Sequence, residues 1–266
     1  MGHHCFGSEK KGGAMQEHMV VRKHGAVAEI VINRPEKMNA ITPEMTQTLA
    51  GIRQDIERDE AIRAVLLRGE GERAFSAGSD LHSLKTYRTT WEFRARTDYA
   101  MVVREFTKPV VAALKGWVLG GGLEMMLGAD VRVAGQSAKF GAPEVVRGWV
   151  GGGGASQMLP RLIGYGQAMR LLLTGDTIDA NEALRIGLVE MVVEDAAVVE
   201  TAMALCRKMA EFSPIATQSV KAAVRASLSM SVEQGIRYEN ELTSLCFASG
   251  NYEEGANAFG NRASRN

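Results

Sequence analysis

Apolar residues in the first half of the chain switch repeatedly between a strand rhythm and a helix rhythm. "MVVRKHGAVAEIVIN", from Met19, holds two β-rich runs broken at His24-Gly25, the signature of a hairpin. "RAVLLRG" at 63 to 69 reads as a buried strand. Between them Thr42 is placed to cap a helix with Pro43 at its first position, and Met45, Leu49, Ile52 and Ile56 fall on one helical face. "KPVVAALKG" at 108 to 116 is another buried-strand run, followed by three glycines, an apolar helix and the strand "DVRVAG". This alternation predicts an α/β domain with crossover connections.

Beyond about residue 155 helix signals follow one another with little strand between. Asp179 with Glu182, Ser213 before Pro214, and Ser231 with Gln234 mark helix starts. Val199, Ala202, Cys206 and Met209 form an apolar stripe. The expected organisation is a short leader over 1–14, an α/β core over 15–205 and a helical segment over 206–266. The last must pack on the core or on another subunit. The leader, with His3, His4 and Cys5, reads as frayed or as a cloning remnant rather than a metal cluster or a secretory signal.

Composition narrows the function classes. At 45% hydrophobic and 23% charged residues the chain has an ordinary globular balance. It contains no apolar run approaching the roughly 18 residues of a membrane span. Lys plus Arg equals Asp plus Glu at 31 each, so the overall field favours neither nucleic acid nor an anionic membrane, and any anion must be held locally. Cys5, Cys206 and Cys246 match neither a disulfide framework nor a zinc pattern, and a reducing cytoplasm is the expected setting.

Candidate chemistry centres on "VLGGGLEM", residues 118 to 125. Glycines before a helix let backbone approach a ligand and aim unpaired N–H groups at it. The segment lacks the Lys-Ser/Thr ending of a phosphate loop and the spacing of a dinucleotide fingerprint. An oxyanion hole uses the same geometry, and "AFSAGSDL" at 74 to 81, another small-residue turn after a strand, is a candidate for its second donor. Two acids lie beside glycine-rich turns: Glu124 in the first turn of the helix, and Glu144 after "FGAP" and ahead of Gly151 to Gly154. Taken singly each has a structural explanation, dipole compensation for one and a surface turn for the other. Together, next to apolar backbone-lined turns, they suit proton transfer. His82 reads as an exposed turn histidine, and the 14 methionines as core filler, with Met125 and Met126 able to line an apolar pocket.

"NRPEKMNAI", "FSAGSDL", "KPVVAALKGWVLGGGLEM", "FGAPE" and "LTGDTIDANEALRIGLV" occur in this order, and with them the chain from about Val20 to Phe259 resembles the enoyl-CoA hydratase (crotonase) family. The resemblance implies a spiral of ββα repeats with a C-terminal helical trimerisation segment, giving a homo-trimer or a hexamer built as a dimer of trimers. It implies hydration of a trans-2-enoyl-CoA, with no cofactor beyond the coenzyme A of the substrate, and no nucleic-acid or membrane partner. By the same resemblance the backbone N–H groups of Ser79 and Gly121 match the oxyanion positions. The resemblance further implies that Glu124 holds and activates the water and that Glu144 delivers the α-carbon proton.

For the coenzyme A arm the resemblance points to Lys37, Met38, Ala40 and Ala77, with Asp80, Leu81, Gly120 and Gly152 around the oxyanion turns. Phe247, Phe259 and Arg262 match residues brought over the nucleotide, although "AFGNRASRN" differs from the usual basic pair. Lys37 meets a phosphate or is merely solvated. Trp117, Arg147 and Trp149 depart from common family residues. They are either core, interface and surface residues or the wall of an acyl pocket, with Arg147 reaching a polar tail. Both glutamates favour hydration. The alternatives are a related acyl-CoA isomerase or dehydratase, and a catalytically silent homologue that binds acyl-CoA or serves as an assembly or RNA-binding partner.

Overall fold

A computed structural model of the chain describes residues 18–250. The leader, Phe259 and Arg262 lie outside the described residues. Strands β1 (Met19–His24) and β2 (Val27–Ile32) form the expected antiparallel hairpin, turning at Gly25 with φ +63°. Helix α1 (Pro43–Arg58) starts where the sequence places it, with the Thr42 hydroxyl accepting from the Met45 N–H. Strands β3 (Ala64–Gly69) and β4 (Ala74–Ser76) follow, then helices α2 (Thr90–Arg94) and α3 (Tyr99–Arg104), strands β5 (Val110–Leu114) and β6 (Trp117–Leu119), and helix α4 (Gly121–Gly128). Strands β7 (Val131–Gly135) and β8 (Lys139–Gly141) precede α5 (Ala155–Ile163) and α6 (Tyr165–Thr174). The sequence then runs through β9 (Thr177–Asp179), α7 (Ala180–Arg185), β10 (Met191–Val193), α8 (Val198–Ala210), α9 (Pro214–Ala226) and α10 (Val232–Ala248).

From β3 to β8 consecutive strands do not pair with each other. One sheet runs β1-β2-β3-β5-β7-β10 and the other β4-β6-β8-β9. Each of the pairs β3/β4, β5/β6 and β7/β8 therefore sends one strand to each sheet. A helical connection carries the chain to the next turn, which is the expected α/β spiral. From β2 to β10 the larger sheet is parallel. Both of its faces are covered, so its strands read as continuous apolar runs rather than alternating ones. Ile30, Ile32, Val65, Leu67, Ala112 and Leu114 enter the main core with α1, α3, α4 and α5. Val27, Leu66, Val111, Ala113 and Val133 face α8 through Val198, Ala202, Met203 and Cys206.

Two details depart from the sequence pattern. Strands β4, β6, β8, β9 and β10 have three residues each, too short to leave a periodic trace, and β4 opens the segment read as a turn at 74 to 81. The stripe on α8 is rotated, with Val198, Ala202, Met203, Cys206 and Ala210 buried and Val199 and Met209 packed at its margin. A helix lying on a sheet buries a broader arc than one seam, and α8 runs unbroken through residues 205 and 206. Helices α9 and α10 leave Val220, Val224, Val232, Ile236 and Leu245 more than half exposed. Among the described residues no helix is long and apolar enough to cross a membrane, and no three His, Cys, Asp or Glu side chains gather as a metal site.

Candidate active site

Strands β4 and β6 are parallel neighbours, so the turns that leave their C-terminal ends emerge side by side. Gly78, at φ +87°, is where they touch: a Cβ there would stand 2.8 Å from the Gly121 nitrogen and 3.0 Å from the Leu119 carbonyl oxygen. Ser79 bridges Ile41 in parallel fashion, but that bridge uses the Gly78 carbonyl, which accepts from Ile41 N–H, and the Asp80 N–H, which donates to the Ile41 carbonyl. The N–H of Ser79 itself therefore points to the other side. Gly121 is the first residue of α4, where an N–H has no intrahelical acceptor. The two turns singled out from the sequence are thus in contact, each with an amide left out of secondary structure.

The three glycines lack side chains for three separate reasons. Gly120 sits at φ 55°, ψ −123°, a conformation closed to L side chains, and a Cβ on it would lie 2.9 Å from Glu144 Oε1. A Cβ on Gly121 would collide with the Tyr99 hydroxyl, and one on Gly122 with the Ser76 carbonyl. The triplet is a place where a carboxylate, a phenol and a neighbouring strand all approach backbone.

Glu124 is 6% exposed and buried along with every other residue of α4. Its Oε1 accepts from the N–H groups of Gly153 (2.9 Å) and Ala155 (3.1 Å), at the start of α5. Burial nevertheless pushes its carboxyl up to about 7, against those two bonds and with help from the charges of Glu144 and Asp98. Glycines make the slot it occupies: a Cβ on Gly151 would stand 2.5 Å from Glu124 Oε1, and one on Gly153 would stand 2.8 Å from Oε2. Glu144 follows β8 at the head of a short helical turn, Val145–Arg147. Its carboxyl is also raised, by burial first, with the charge of Arg147 opposing. Its Oε2 is buried without a hydrogen-bond partner among the described residues. The structure therefore brings together two carboxyls whose proton affinity is raised by burial, beside two available amides.

Other residues named from the sequence divide by position. Met38 (φ 55°) and Asn39 (φ 54°) turn the loop after β2 so that Met38 C=O accepts from Ala77 N–H at 2.9 Å, bringing Met38, Ala40 and Ala77 together. Buried Asn39 clamps this loop, accepting from Arg34 N–H and donating to the Glu70 and Ala74 carbonyls. Lys37 is exposed at its tip. Asp80 is bound to Arg34 at 2.6 Å and caps its own turn, while Leu81 and His82 face outward. Arg147, Trp149 and Gly152 lie on an exposed segment, Trp117 is half-buried under Lys139, and Phe247 is exposed on α10.

Sequence reasoning missed Asn39 and Tyr99. Tyr99 opens α3, capped by Asp98, whose Oδ1 accepts from Ala100 and Met101 N–H. Its buried hydroxyl lies 2.9 Å from Ser79 Oγ. The Asp98 cap ahead of "YAMVV" was the available signal for the helix, but nothing in it aims the ring at Ser79.

Comparison with known proteins follows the same outline. A family model described as enoyl-CoA hydratase/isomerase matches residues 22–265. The short-chain-enoyl-CoA hydratase of Clostridium acetobutylicum is 35% identical over 245 residues, covering 91% of this chain and 94% of that one. The (E)-benzylidenesuccinyl-CoA hydratase of Thauera aromatica is 37% identical over 238 residues, covering 89% and 93%. The crystal structure of an enoyl-CoA hydratase from Bacillus anthracis superposes with a TM-score of 0.86 at 31% identity, over 92% of this chain and 97% of that one. With the split-strand spiral, the paired turns and a match along nearly the whole chain, the protein belongs to the enoyl-CoA hydratase/isomerase (crotonase) family.

Proposed function

We propose that this enzyme reversibly hydrates a trans-2-enoyl-CoA to a 3-hydroxyacyl-CoA. The observation that carries the reading is the pair Glu124 and Glu144, one buried and one half-buried carboxyl with raised proton affinity beside the Ser79 and Gly121 amides. The thioester oxygen receives those amide hydrogens, which draws electrons from the conjugated bond and exposes the β-carbon to attack. Water adds there, its proton passing to the Glu124 carboxylate, while Glu144 in its acid form protonates the α-carbon. One proton leaves the water and one enters the carbon chain, so a proton exchange between the two carboxyls restores the starting state. A Glu124 carboxyl titrating near 7 is matched to this work at neutral pH.

The loop of Met38, Ala40 and Ala77 would offer backbone to the pantetheine arm, and the exposed Lys37 would meet a phosphate. The exposed apolar residues of α9 and α10 suit assembly into a homo-trimer or a dimer of trimers, and the balanced charge fits a cytoplasmic enzyme without nucleic-acid partners. The test is crotonyl-CoA: the enzyme should discharge the absorbance of its conjugated thioester, and Glu144→Gln should abolish this while leaving CoA binding nearly intact. Turnover that survives loss of both carboxylates would sink the two-acid mechanism. Appearance of that absorbance from a 3-enoyl-CoA, without hydration, would make the enzyme an isomerase.

A further inference from the structure

Tyr99 stands where no part of the two-amide, two-acid scheme requires a side chain. Its hydroxyl oxygen lies 2.9 Å from Ser79 Oγ and fills the volume that a Gly121 side chain would need. One phenolic oxygen therefore reaches both residues whose amides form the oxyanion pair, from a third element, α3. The two hydroxyls carry two hydrogens between them, and their mutual bond uses one. It is the bond the structure gives either hydroxyl, so the second hydrogen has no protein acceptor among the described residues.

The surroundings keep that hydrogen in place. Burial, then the charges of Asp98, Glu124 and Glu144, raise the phenol well above its ordinary range, against the bond from Ser79, so it stays protonated while Glu124 titrates. A fixed, desolvated O–H beside the place where negative charge develops is what lowers a barrier of this kind.

We infer that Tyr99 is a further catalytic residue whose hydroxyl donates a third hydrogen bond to the thioester oxygen, beside the amides of Ser79 and Gly121. The inference rests on the hydratase reading for the identity of the reaction, but the bond itself is to a thioester and can be read without turnover. The bland role for Tyr99 is core filling, since its ring packs in the main cluster. Tyr99→Phe keeps that ring and removes only the oxygen.

The experiment compares full-length wild type and Tyr99→Phe in two measurements. The first is crotonyl-CoA hydration, in which kcat should fall about 100-fold with KM little changed. The second is the absorbance of a bound cinnamoyl-CoA carrying an electron-donating ring substituent, which shifts to the red as the carbonyl is polarised. The variant should bind it with a smaller shift. A variant that melts like wild type, turns over within twofold and gives the full red shift overturns the inference. If wild type shifts the chromophore but hydrates nothing, the hydratase reading falls while the shift difference still decides the role of Tyr99. If wild type binds no acyl-CoA, both fall.

Discussion

Glu29 and Glu124 are about equally hidden from solvent, 4% and 6% exposed, yet their surroundings push them in opposite directions. Glu29, on β2 facing the α8 side, meets Arg68 at 2.6 Å and His24 at 2.8 Å. Burial alone would raise its carboxyl, but these hydrogen bonds and the charges of Arg68 and Arg22 outweigh it and hold the group below the usual range. Glu124 receives only two backbone amides and has a second carboxyl for a neighbour, and burial wins. Withholding a cation is what separates an acid that supports the fold from one that is free to trade protons.

The largest effect should come from removing the unpaired acid. Glu124→Gln is expected to lower hydration of crotonyl-CoA about 100- to 10,000-fold in a spectrophotometric assay. The same change should stabilise the fold at alkaline pH. The folded carboxyl binds its proton up to about 7 and the unfolded one only to about 4.5, so the native state holds more protons between those values and loses stability as pH rises through them. That penalty is on the order of 3 kcal/mol above pH 7, and thermal melts of the variant should exceed wild type at pH 8 and converge with it at pH 4. The same difference between variant and wild type at both pH values would mean that Glu124 is not held neutral by its site.

Breaking the paired acid should do the reverse, sparing chemistry and costing stability. Arg68→Met leaves Glu29 without its principal cation and should destabilise by about 3 kcal/mol in urea titration. Because the Glu29 carboxyl is depressed, its contribution is present above its unfolded value near 4.5 and lost as pH falls further. Activity divides the same way. With Glu124 as base, kcat/KM should decline as pH drops through about 7, and a rate flat from pH 8 to 5 would remove Glu124 from that role.

Smaller changes sharpen the contrast. Gly153→Ala introduces a Cβ 2.8 Å from Glu124 Oε2 and 2.9 Å from Ala100 Cβ, and is expected to cost about 1 kcal/mol in stability while lowering kcat about tenfold. Arg22→Ala removes an exposed guanidinium 3.8 Å from Glu29 and should change stability by less than about 0.5 kcal/mol.

The sequence made one of these two acids conspicuous and left the other silent. Glu124 was legible because three glycines precede it, and the longer strands β1, β2, β3, β5 and β7, the hairpin and the Thr42, Asp179, Ser213 and Ser231 caps were legible because each is a local pattern. Pairing is not local. Glu29 looks like one polar residue in an apolar strand until the parallel register sets β3 beside it and Arg68 reaches its carboxylate. Nor does a period of two reveal that β3 and β4 enter different sheets, which is what sets the two turns side by side. Tyr99 was hidden for the same reason, since its partner Ser79 lies on another loop.

The glycine triplet also predicts which lesions can be repaired. An alanine at Gly121 meets the end of one side chain, so trimming Tyr99 should act as a second-site suppressor of its folding defect, though not of its catalytic one. An alanine at Gly122 meets the Ser76 carbonyl, a main-chain atom that no substitution deletes, and revertants there should restore glycine alone. An alanine at Gly120 is strained by its own backbone, and shortening Glu144 to relieve the contact would sacrifice the acid. Three adjacent identical letters thus carry three different genetic fates.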